Sequence, residues 1–206
     1  MQQKICLFDF DGTLTTQDTL LAFIRYACGN TRFWKGLLLY SPLLVLMKLH
    51  LYPNYRAKQH LFGWFFGGMN IEEFDQLCHH FAQDRAYLLR QAGITRMQQV
   101  LNEGQRIFIV SASIDNWVRP FFEHMHACSH PIAPIEVLGT KIEIKNGCLT
   151  GRFSTPNCYG AEKVRRVKEV LTEKRSQYFI TAFGDSRGDK EMLKYADQGF
   201  YRPFKH

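Results

Sequence analysis

Three short apolar runs stand out in the pattern of hydrophobic and polar positions along the chain. They cover residues 4–10, 106–111 and 178–184, and each run carries a polar residue or a glycine at its end. Between the runs, apolar residues recur at steps of three and four, which is the spacing of an amphipathic helix. Short buried strands that alternate with helices are typical of an α/β fold. We therefore expect a parallel sheet with helices packed on it.

Three segments show the helical spacing most clearly, and a fourth shows the alternation of paired strands. The apolar positions at helical spacing are Leu20, Phe23, Ile24 and Ala27, then Phe74, Leu77, Cys78 and Phe81, then Val164, Val167 and Leu171. Residues 137–151 alternate on either side of Asn146-Gly147, a dipeptide that favours the two-residue turn of a hairpin. The sequence predicts a β-hairpin there.

The first and second apolar runs are separated by roughly 95 residues that contain no comparable strand. A simple crossover between parallel strands needs far fewer residues. The gap therefore predicts a helical domain of residues 15–85, inserted into a core domain that consists of residues 1–14 and 86–206.

The first run leads into two carboxylates, Asp9 and Asp11, in the stretch KICLFDFDGTL. Burying even one ionised carboxylate is unfavourable by several kcal/mol unless something compensates its charge. Two interpretations are open. The carboxylates are either turn residues before Gly12, a common structural use of aspartate, or they are directed at a cation and a substrate.

The other runs bring further polar residues to the same edge of the predicted sheet. Ser111 ends the second run, Asp185 and Asp189 follow the third, and Lys163 lies in the helix before it. Each residue alone has a structural explanation, as a loop hydroxyl, a helix cap or a solvated cation. Ligands of open parallel sheets bind at this edge, however, and clustered carboxylates need a counter-charge. Because an all-oxygen donor set suits Mg²⁺, the residues together predict a magnesium site.

Four motifs carry a resemblance to a known family. DFDGT, IVSAS, NCYGAEKVRRVKE and GDSRGDKEML resemble, in this order, the four motifs of the haloacid dehalogenase (HAD) superfamily of phosphohydrolases. The helical insertion after the first motif and the hairpin before Lys163 are similar to subfamily IB, whose best-known enzyme is phosphoserine phosphatase. The resemblance implies an α/β fold with a Rossmann-like parallel-sheet core and an inserted helical cap of the C1 type.

The resemblance also implies a role for each matched residue, and hence an Mg²⁺-dependent phosphomonoester hydrolase that acts through an aspartyl-phosphate. Asp9 is implied as the nucleophile, Asp11 as the general acid and base, and Lys163 as the charge that neutralises the phosphoryl group. Dehalogenases lack an acid at the position of Asp11, because a halide leaves without a proton. The implied phosphate-binding residues are Gly12, Thr13, Ser111, Ala112 and Lys163, and the implied Mg²⁺ ligands are Asp9, Asp11 through its backbone carbonyl, Asp185 and Asp189.

The most apolar stretch, residues 33–52, bears on the substrate. Its uncharged part is interrupted by Pro42 and is shorter than the ~20 residues of a membrane-spanning helix. It is either a buried helical hairpin or a surface that dips into a bilayer or grips an acyl chain. LFDFDGTLTTQDTLLAFIRY, the apolar stretch with Pro42 and FGWFFGGM resemble bacterial phosphatidylglycerophosphate phosphatase C. The resemblance implies a phospholipid headgroup as substrate. A phosphoserine-like soluble metabolite is the alternative, and Asp18 and Arg56 are the candidate substrate-binding residues of the insertion.

The composition and net charge of the chain limit the classes of ligand that we expect it to bind. The 206-residue chain is 46% hydrophobic, enough for one domain with an insertion, and its net charge of +7 favours anionic partners. No nucleic-acid-binding signature is present, so we expect a phosphorylated small molecule or phospholipid headgroup and no nucleic acid. Six cysteines without a CxxC pair, and no secretory signal, indicate the cytoplasm, with peripheral contact to the inner face of the membrane left open. A non-catalytic anion- or nucleic-acid-binding protein is the alternative from another class.

Overall fold

The computed structural model describes residues 2–49, 51–125 and 135–205. The strands are β1 (Gln3–Phe8), β2 (Arg106–Ile114), β3 (Glu136–Thr140), β4 (Ile142–Lys145), β5 (Cys148–Phe153), β6 (Tyr178–Gly184) and β7 (Gln198–Tyr201). The helices are α1 (Thr19–Lys48), α2 (Asn54–Phe66), α3 (Ile71–Asp84), α4 (Gln91–Asn102), α5 (Asp115–Val118), α6 (Ala161–Val170) and α7 (Lys190–Tyr195).

Five strands form one parallel sheet in the order β3-β2-β1-β6-β7. The three predicted apolar runs are its central strands, with Ile5 of β1 opposite Arg106 of β2 on one side and Ile180 of β6 on the other. This confirms the predicted α/β fold. The chain builds the sheet first to one side of β1 and then to the other, so a crevice opens at the carboxyl ends of β1 and β6.

Successive side chains of β1 point to opposite faces of the sheet, and each face has its own hydrophobic core. Cys6 and Phe8 belong to the larger core, on the side of α1 to α5. Ile5 and Leu7 belong to the smaller core, on the side of α6 and α7. All four side chains are completely buried. A strand buried on both faces reads as a continuous apolar run, which is why β1 could be recognised in the sequence.

Aromatic side chains join the inserted helices to the rest of the fold. The ring of Phe23 in α1 lies 5.0–5.6 Å, between centroids, from those of Phe66, Phe74, Phe81 and Trp117. These residues come from α1, α2, α3 and α5, so one cluster fixes three helices of the insertion against the end of β2. The division of the chain into residues 1–14 with 86–206 and residues 15–85 stays a prediction.

Helix α1 continues through most of the apolar stretch 33–52 without turning back at Pro42. The Ser41 hydroxyl donates to the carbonyl of Leu38 at 2.7 Å, the acceptor that Pro42 leaves without its usual helical donor. The stretch therefore forms one arm of a helical hairpin that α2 completes, and part of this arm is exposed. Leu38 is 77% exposed and Leu39 is 61% exposed. No helix of the described chain has both the length and the apolar character needed to cross a bilayer.

The predicted hairpin is present but shorter at its start than the alternating pattern suggested. β4 and β5 pair antiparallel around Asn146-Gly147, both of which have positive φ. Residues 136–140, however, leave the hairpin and pair in parallel with β2 as β3. The alternation of apolar and polar residues cannot distinguish pairing with β5 from pairing with β2. The edge strand β7 had no recognisable sequence pattern, because its residues are exposed.

Two glycines let helix α2 approach strand β5. A Cβ on Gly151 would lie 2.7 Å from the Cα of Gly63, and a Cβ on Gly63 would lie 3.0 Å from the Gly151 carbonyl oxygen. Gly151 also has φ +79°, a conformation that side chains disfavour. The contact thus depends on the absence of both side chains.

We expect Gly151→Ala to lower the free energy of unfolding by about 2–4 kcal/mol, since it adds overpacking to backbone strain. Gly147→Ala is the matched control, because Gly147 has φ +75° but open space around its Cα. It should lose only about 1–2 kcal/mol. Urea unfolding followed by circular dichroism measures both values, and equal losses would show that the close approach is unimportant.

Candidate active site

Asp9 directly follows β1 at the centre of the carboxyl edge of the sheet. Its backbone N–H donates to the carbonyl of Phe183 in β6 at 2.9 Å. Its buried carboxylate accepts from Lys163 Nζ at 2.6 Å through Oδ1 and from Thr13 Oγ1 at 2.9 Å through Oδ2. The predicted nucleophile is therefore held in one orientation at the crevice.

The turn after Asp9 needs glycine at position 12. Gly12 has φ +79°, and a Cβ there would lie 2.6 Å from Oδ2 of Asp185. The carboxylate of Asp185 therefore packs directly against the turn that carries Asp11. The turn of the first motif is thus brought against the fourth motif by a backbone that only glycine adopts easily.

Lys163 enters the site from the first turn of α6 and is 1% exposed. Its Nζ donates to Asp9 Oδ1 at 2.6 Å, to Asp189 Oδ1 at 2.6 Å and to the carbonyl of Val110 at 2.7 Å. These are all the hydrogen bonds that an ammonium can donate. Lys163 is thus the charge at the centre of the site and not a solvated surface residue.

The three charged groups of this cluster influence one another. Burial raises the pKa of the Asp9 carboxyl to about 7, although the Lys163 ammonium acts to lower it. Burial also acts to raise the pKa of Asp189, yet the Lys163 ammonium and hydrogen bonds from Ser186 hold that pKa below its ordinary value. For Lys163, burial opposes the charge, but the two carboxylates raise its pKa above the usual value. A proton that enters the cluster therefore goes to Asp9 before Asp189.

Asp11 is held by hydrogen bonds from two segments. Its Oδ1 accepts from the N–H and hydroxyl of Thr19 at 2.7 and 2.6 Å, and its Oδ2 accepts from the Ser113 hydroxyl at 2.5 Å. Burial, followed by the charge of Asp18, raises the pKa of Asp11 although these hydrogen bonds oppose the shift. The group predicted to exchange protons is thus oriented by its neighbours and retains a proton more readily than an ordinary aspartate.

The end of β2 contributes the second motif. The register with β3 shifts between Val110 and Ile114, an irregularity that redirects side chains at the edge of a sheet. Ser111 is buried, and its hydroxyl oxygen accepts from the Ser113 N–H at 3.0 Å. The carbonyl of Ala112 accepts from the Thr140 hydroxyl at 3.1 Å. Ser111 and Ala112 therefore lie in a segment whose shape is fixed from both sides.

Asp185 and Asp189 differ in how their oxygens are occupied. Oδ2 of Asp189 accepts from the N–H groups of Asp185 and Ser186 and from the Ser186 hydroxyl, while Oδ1 accepts from Lys163. Asp185 instead accepts from Lys205 Nζ at 2.6 Å and, through its other oxygen, from Thr13 at 3.5 Å. Asp189 is thus committed to holding its own loop and Lys163. The carboxylate of Asp185 faces the turn after β1.

The donor set fits a hard divalent cation. Asp9, Asp185 and Asp189 each offer a carboxylate oxygen, and these atoms all lie within 4.8 Å of one another. A cation among them would favour the ionised form of Asp9, whose pKa burial has raised. An all-oxygen set with few protein ligands suits Mg²⁺, which retains waters and substrate oxygens in its coordination shell.

Asp18 and Arg56, the two candidate substrate-binding residues of the insertion, lie outside the cluster of Asp9, Lys163 and Asp189. Asp18 caps α1 by accepting from the N–H of Leu20 at 2.9 Å, and it lines an open groove beside α1 and α2. Arg56 lies on the exposed side of α2, where its Nε donates to the Tyr55 hydroxyl at 3.0 Å. Lys58, two residues later, lines the groove. A role for Asp18 or Arg56 in substrate binding stays a prediction.

Three residues of the site were missed in the sequence. Thr19 and Ser113 bind the carboxylate of Asp11, and Lys205 binds that of Asp185. Ser113 lies two residues after Ser111, so the motif IVSAS contained a usable signal. Thr19 and Lys205 carried none, because a threonine at a helix start and a lysine near the end of the sequence are ordinary surface residues.

Sequence comparisons with known proteins identify the family of this chain. A family model described as haloacid dehalogenase-like hydrolase matches residues 6–194. Protein CicA of Caulobacter vibrioides is 31% identical over 202 residues, which cover 96% of this chain and 85% of CicA.

Solved structures show the same fold at low sequence identity. A protein of unknown function from Bordetella pertussis Tohama I has a TM-score of 0.77 at 18% identity, over 94% of this chain and 87% of that one. A phosphoserine phosphatase, solved as a phospho-aspartyl intermediate analogue, has a TM-score of 0.58 at 19% identity, over 98% and 86% of the two chains. At such identities the likeness concerns the fold alone.

Lys163→Met should lower the free energy of unfolding by about 3–5 kcal/mol in a metal-free buffer at neutral pH, because it leaves buried carboxylates without a counter-charge. Lys194→Met, at an exposed lysine of α7, is the control and should change it by less than about 0.5 kcal/mol. Urea unfolding measures both.

A second substitution shows whether the lower stability comes from the missing counter-charge or from lost packing. In the Lys163→Met background, Asp9→Asn removes one unpaired carboxylate and should recover part of the lost stability. If the double variant were less stable than Lys163→Met alone, the charge argument would be wrong.

Proposed function

Because this chain belongs to the haloacid dehalogenase-like hydrolase family, we propose that it is an Mg²⁺-dependent phosphatase that hydrolyses phosphate monoesters through a covalent intermediate on Asp9. The observation that carries this proposal is the buried Lys163 ammonium, which binds the carboxylates of Asp9 and Asp189 at the carboxyl edge of the sheet. A phosphoryl group placed there meets a nucleophile, a fixed positive charge and a proton donor.

Mg²⁺ would be held by the carboxylates of Asp9 and Asp185 and the backbone carbonyl of Asp11, with Asp189 behind them. When bound, it supplies positive charge that stabilises the transferring phosphoryl group. The hydrogen bonds of Asp189 to Lys163 and to its own loop favour a supporting role over direct ligation.

In the first half-reaction, a carboxylate oxygen of Asp9 attacks phosphorus in line with the leaving oxygen. The new bond is between phosphorus and that carboxylate oxygen, and the bond between phosphorus and the ester oxygen breaks. The Thr13 hydroxyl and Lys163 hold the Asp9 carboxylate, so the attack needs little reorientation. Lys163, the Ser111 hydroxyl and the backbone amides near Gly12 and Ala112 stabilise the phosphoryl oxygens.

Asp11 donates a proton in the first half-reaction and accepts one in the second. It first protonates the leaving alkoxide, and it then takes a proton from the water that attacks phosphorus and releases inorganic phosphate and free Asp9. Its raised pKa, caused first by burial, favours this exchange. A halide would leave without a proton, so the placement of Asp11 supports phosphate ester hydrolysis over dehalogenation.

The finer proposal for the substrate is a phospholipid headgroup such as phosphatidylglycerophosphate. Its support is the exposed apolar side of α1, which a soluble metabolite does not require. The exposed apolar residues of this segment are Trp34, Leu38, Leu39, Val45, Leu46, Leu49 and Leu51. The second candidate is a soluble, phosphoserine-like metabolite, and it is favoured by the fold likeness to phosphoserine phosphatase and by the position of Asp18.

We place the enzyme in the cytoplasm, at the inner face of the membrane. The described cysteines, which are Cys6, Cys28, Cys78, Cys148 and Cys158, are free thiols, as expected in a reducing compartment. The exposed apolar side of α1 is the surface that would insert, and Lys35 and Arg56 would face anionic headgroups.

The chemistry is tested with Asp9→Asn and p-nitrophenyl phosphate. This variant should show no turnover above background and no acid-stable phosphoenzyme, since it lacks the nucleophilic carboxylate. Asp84→Asn, on the surface of α3, should keep wild-type activity. Removal of Mg²⁺ with a chelator should abolish turnover by the wild type, and its re-addition should restore it. Near-normal turnover by Asp9→Asn would rule out the mechanism.

Membrane contact is tested by co-sedimentation with anionic liposomes. The wild type should co-sediment at low salt, and salt should weaken the binding, because each basic residue near the surface contributes about 1 kcal/mol. Leu38→Glu combined with Leu39→Glu should abolish binding and leave hydrolysis of p-nitrophenyl phosphate unchanged.

The charge-matched control combines Ile144→Glu with Tyr87→Glu, two exposed positions outside α1. This control should still co-sediment. Failure of the wild type to bind at low salt, together with fast turnover of a soluble metabolite, would favour the second candidate.

A further inference from the structure

An open groove of about 1610 Å³ runs between α1, α2 and the loop that follows β5. Small-molecule sites usually measure ~300–1,000 Å³, so this groove is larger than a free amino acid or a sugar phosphate needs. Its lining includes Leu37, Leu44 and Met47 of α1, together with Leu51 and Tyr52. One side of the groove is therefore a continuous apolar surface.

The groove adjoins the end of β2 and the catalytic loops. Leu20 and Lys58 line the groove, and they also line a small recess that includes Ala112 and Ser113 at the end of β2. Ser113 donates to the carboxylate of Asp11. Arg187, from the loop that carries Asp185 and Asp189, also lines the groove, so a chain attached to a phosphate at Asp9 would enter the groove beside this loop.

The groove changes from polar to apolar along its length. Lys58 and Arg187 lie among its lining residues on the side of the catalytic loops, and neither forms an ion pair within the described part of the chain. Leu37, Leu44 and Met47 lie on the side of α1. This arrangement matches a ligand with an anionic end and a hydrocarbon end.

We infer that the groove binds the hydrocarbon tail of an amphiphilic phosphate monoester while its phosphate reacts at Asp9. Leu37, Leu44 and Met47 determine specificity for the tail, and Lys58 with Arg187 attracts the anionic end. This inference rests on the proposed function. Leu51 belongs to both surfaces, but tail binding is distinct from membrane attachment, because Leu44 lines the groove whereas the neighbouring Val45 is exposed outside the lining.

The test is a homologous series of n-alkyl phosphates from butyl to decyl, assayed below their micellar concentrations beside p-nitrophenyl phosphate. KM should fall by at least ~10-fold along the series at nearly constant kcat. A 10-fold fall over six methylenes is about 1.5-fold per methylene. Complete burial of each methylene would lower KM by ~4-fold per methylene, so the expected fall corresponds to partial burial.

Two variants test the binding of the hydrocarbon tail and of the anionic end separately. Leu44→Glu should abolish the dependence on chain length and leave hydrolysis of p-nitrophenyl phosphate unchanged, whereas Val45→Glu, its neighbour, should keep the dependence. Lys58→Met should raise KM for every alkyl phosphate by a similar factor and preserve the slope. The wild-type series needs no variant, so misfolding of Leu44→Glu would leave the inference testable.

The outcomes are distinct. Turnover of p-nitrophenyl phosphate with the same KM for butyl and decyl phosphate would overturn the tail site and leave the phosphatase proposal standing. Equal slopes in Leu44→Glu and the wild type, with both folded, would place the tail elsewhere and also overturn it. No turnover of any ester would contradict the proposed function itself.

Discussion

The structure depends on one buried ammonium. Lys163 contacts the carboxylates of Asp9 and Asp189 and the carbonyl of Val110, so its position ties β1, β2, α6 and the loop after β6 together. Removing three charges from water is costly, and the cost is offset only if all the partners are in place. The geometry that the chemistry needs is therefore also a condition for a stable fold. For this reason the side chains of Asp9 and Lys163 are held in one orientation.

Helix α1 connects this site to the rest of the insertion, and its backbone leaves the helical conformation at Gly29, which has φ 72°. Its first residue, Thr19, binds Asp11, and the Trp117 indole donates to the same hydroxyl at 3.2 Å. Farther along, α1 forms one side of the groove, and its opposite side is exposed and apolar. The segment of α1 before Gly29 thus contacts Asp11, and the segment after it borders the groove and carries the exposed apolar residues.

The sequence was informative where burial and charge act over short distances along the chain. β1, β2 and β6 were recognisable because strands buried on both faces read as apolar runs, and the convergence of Asp9, Lys163 and Asp185 followed from parallel topology. Pairing choices were harder to predict. β3 alternates like a hairpin strand but pairs with β2, and Gly139 packs there against Asp115 without room for a side chain. Lys205 lies 20 residues after Asp185 and outside the four motifs, so their contact forms only through the tertiary fold.

The central claim is that the phosphoryl group passes through Asp9. The most direct measurement is to quench the enzyme during turnover of p-nitrophenyl phosphate, reduce it with borohydride and map its peptides by mass spectrometry. Reduction converts an aspartyl-phosphate to homoserine. The account predicts homoserine at position 9 and at no other aspartate. Homoserine at Asp11 or Asp185, or its absence from an enzyme that is turning over, would contradict it.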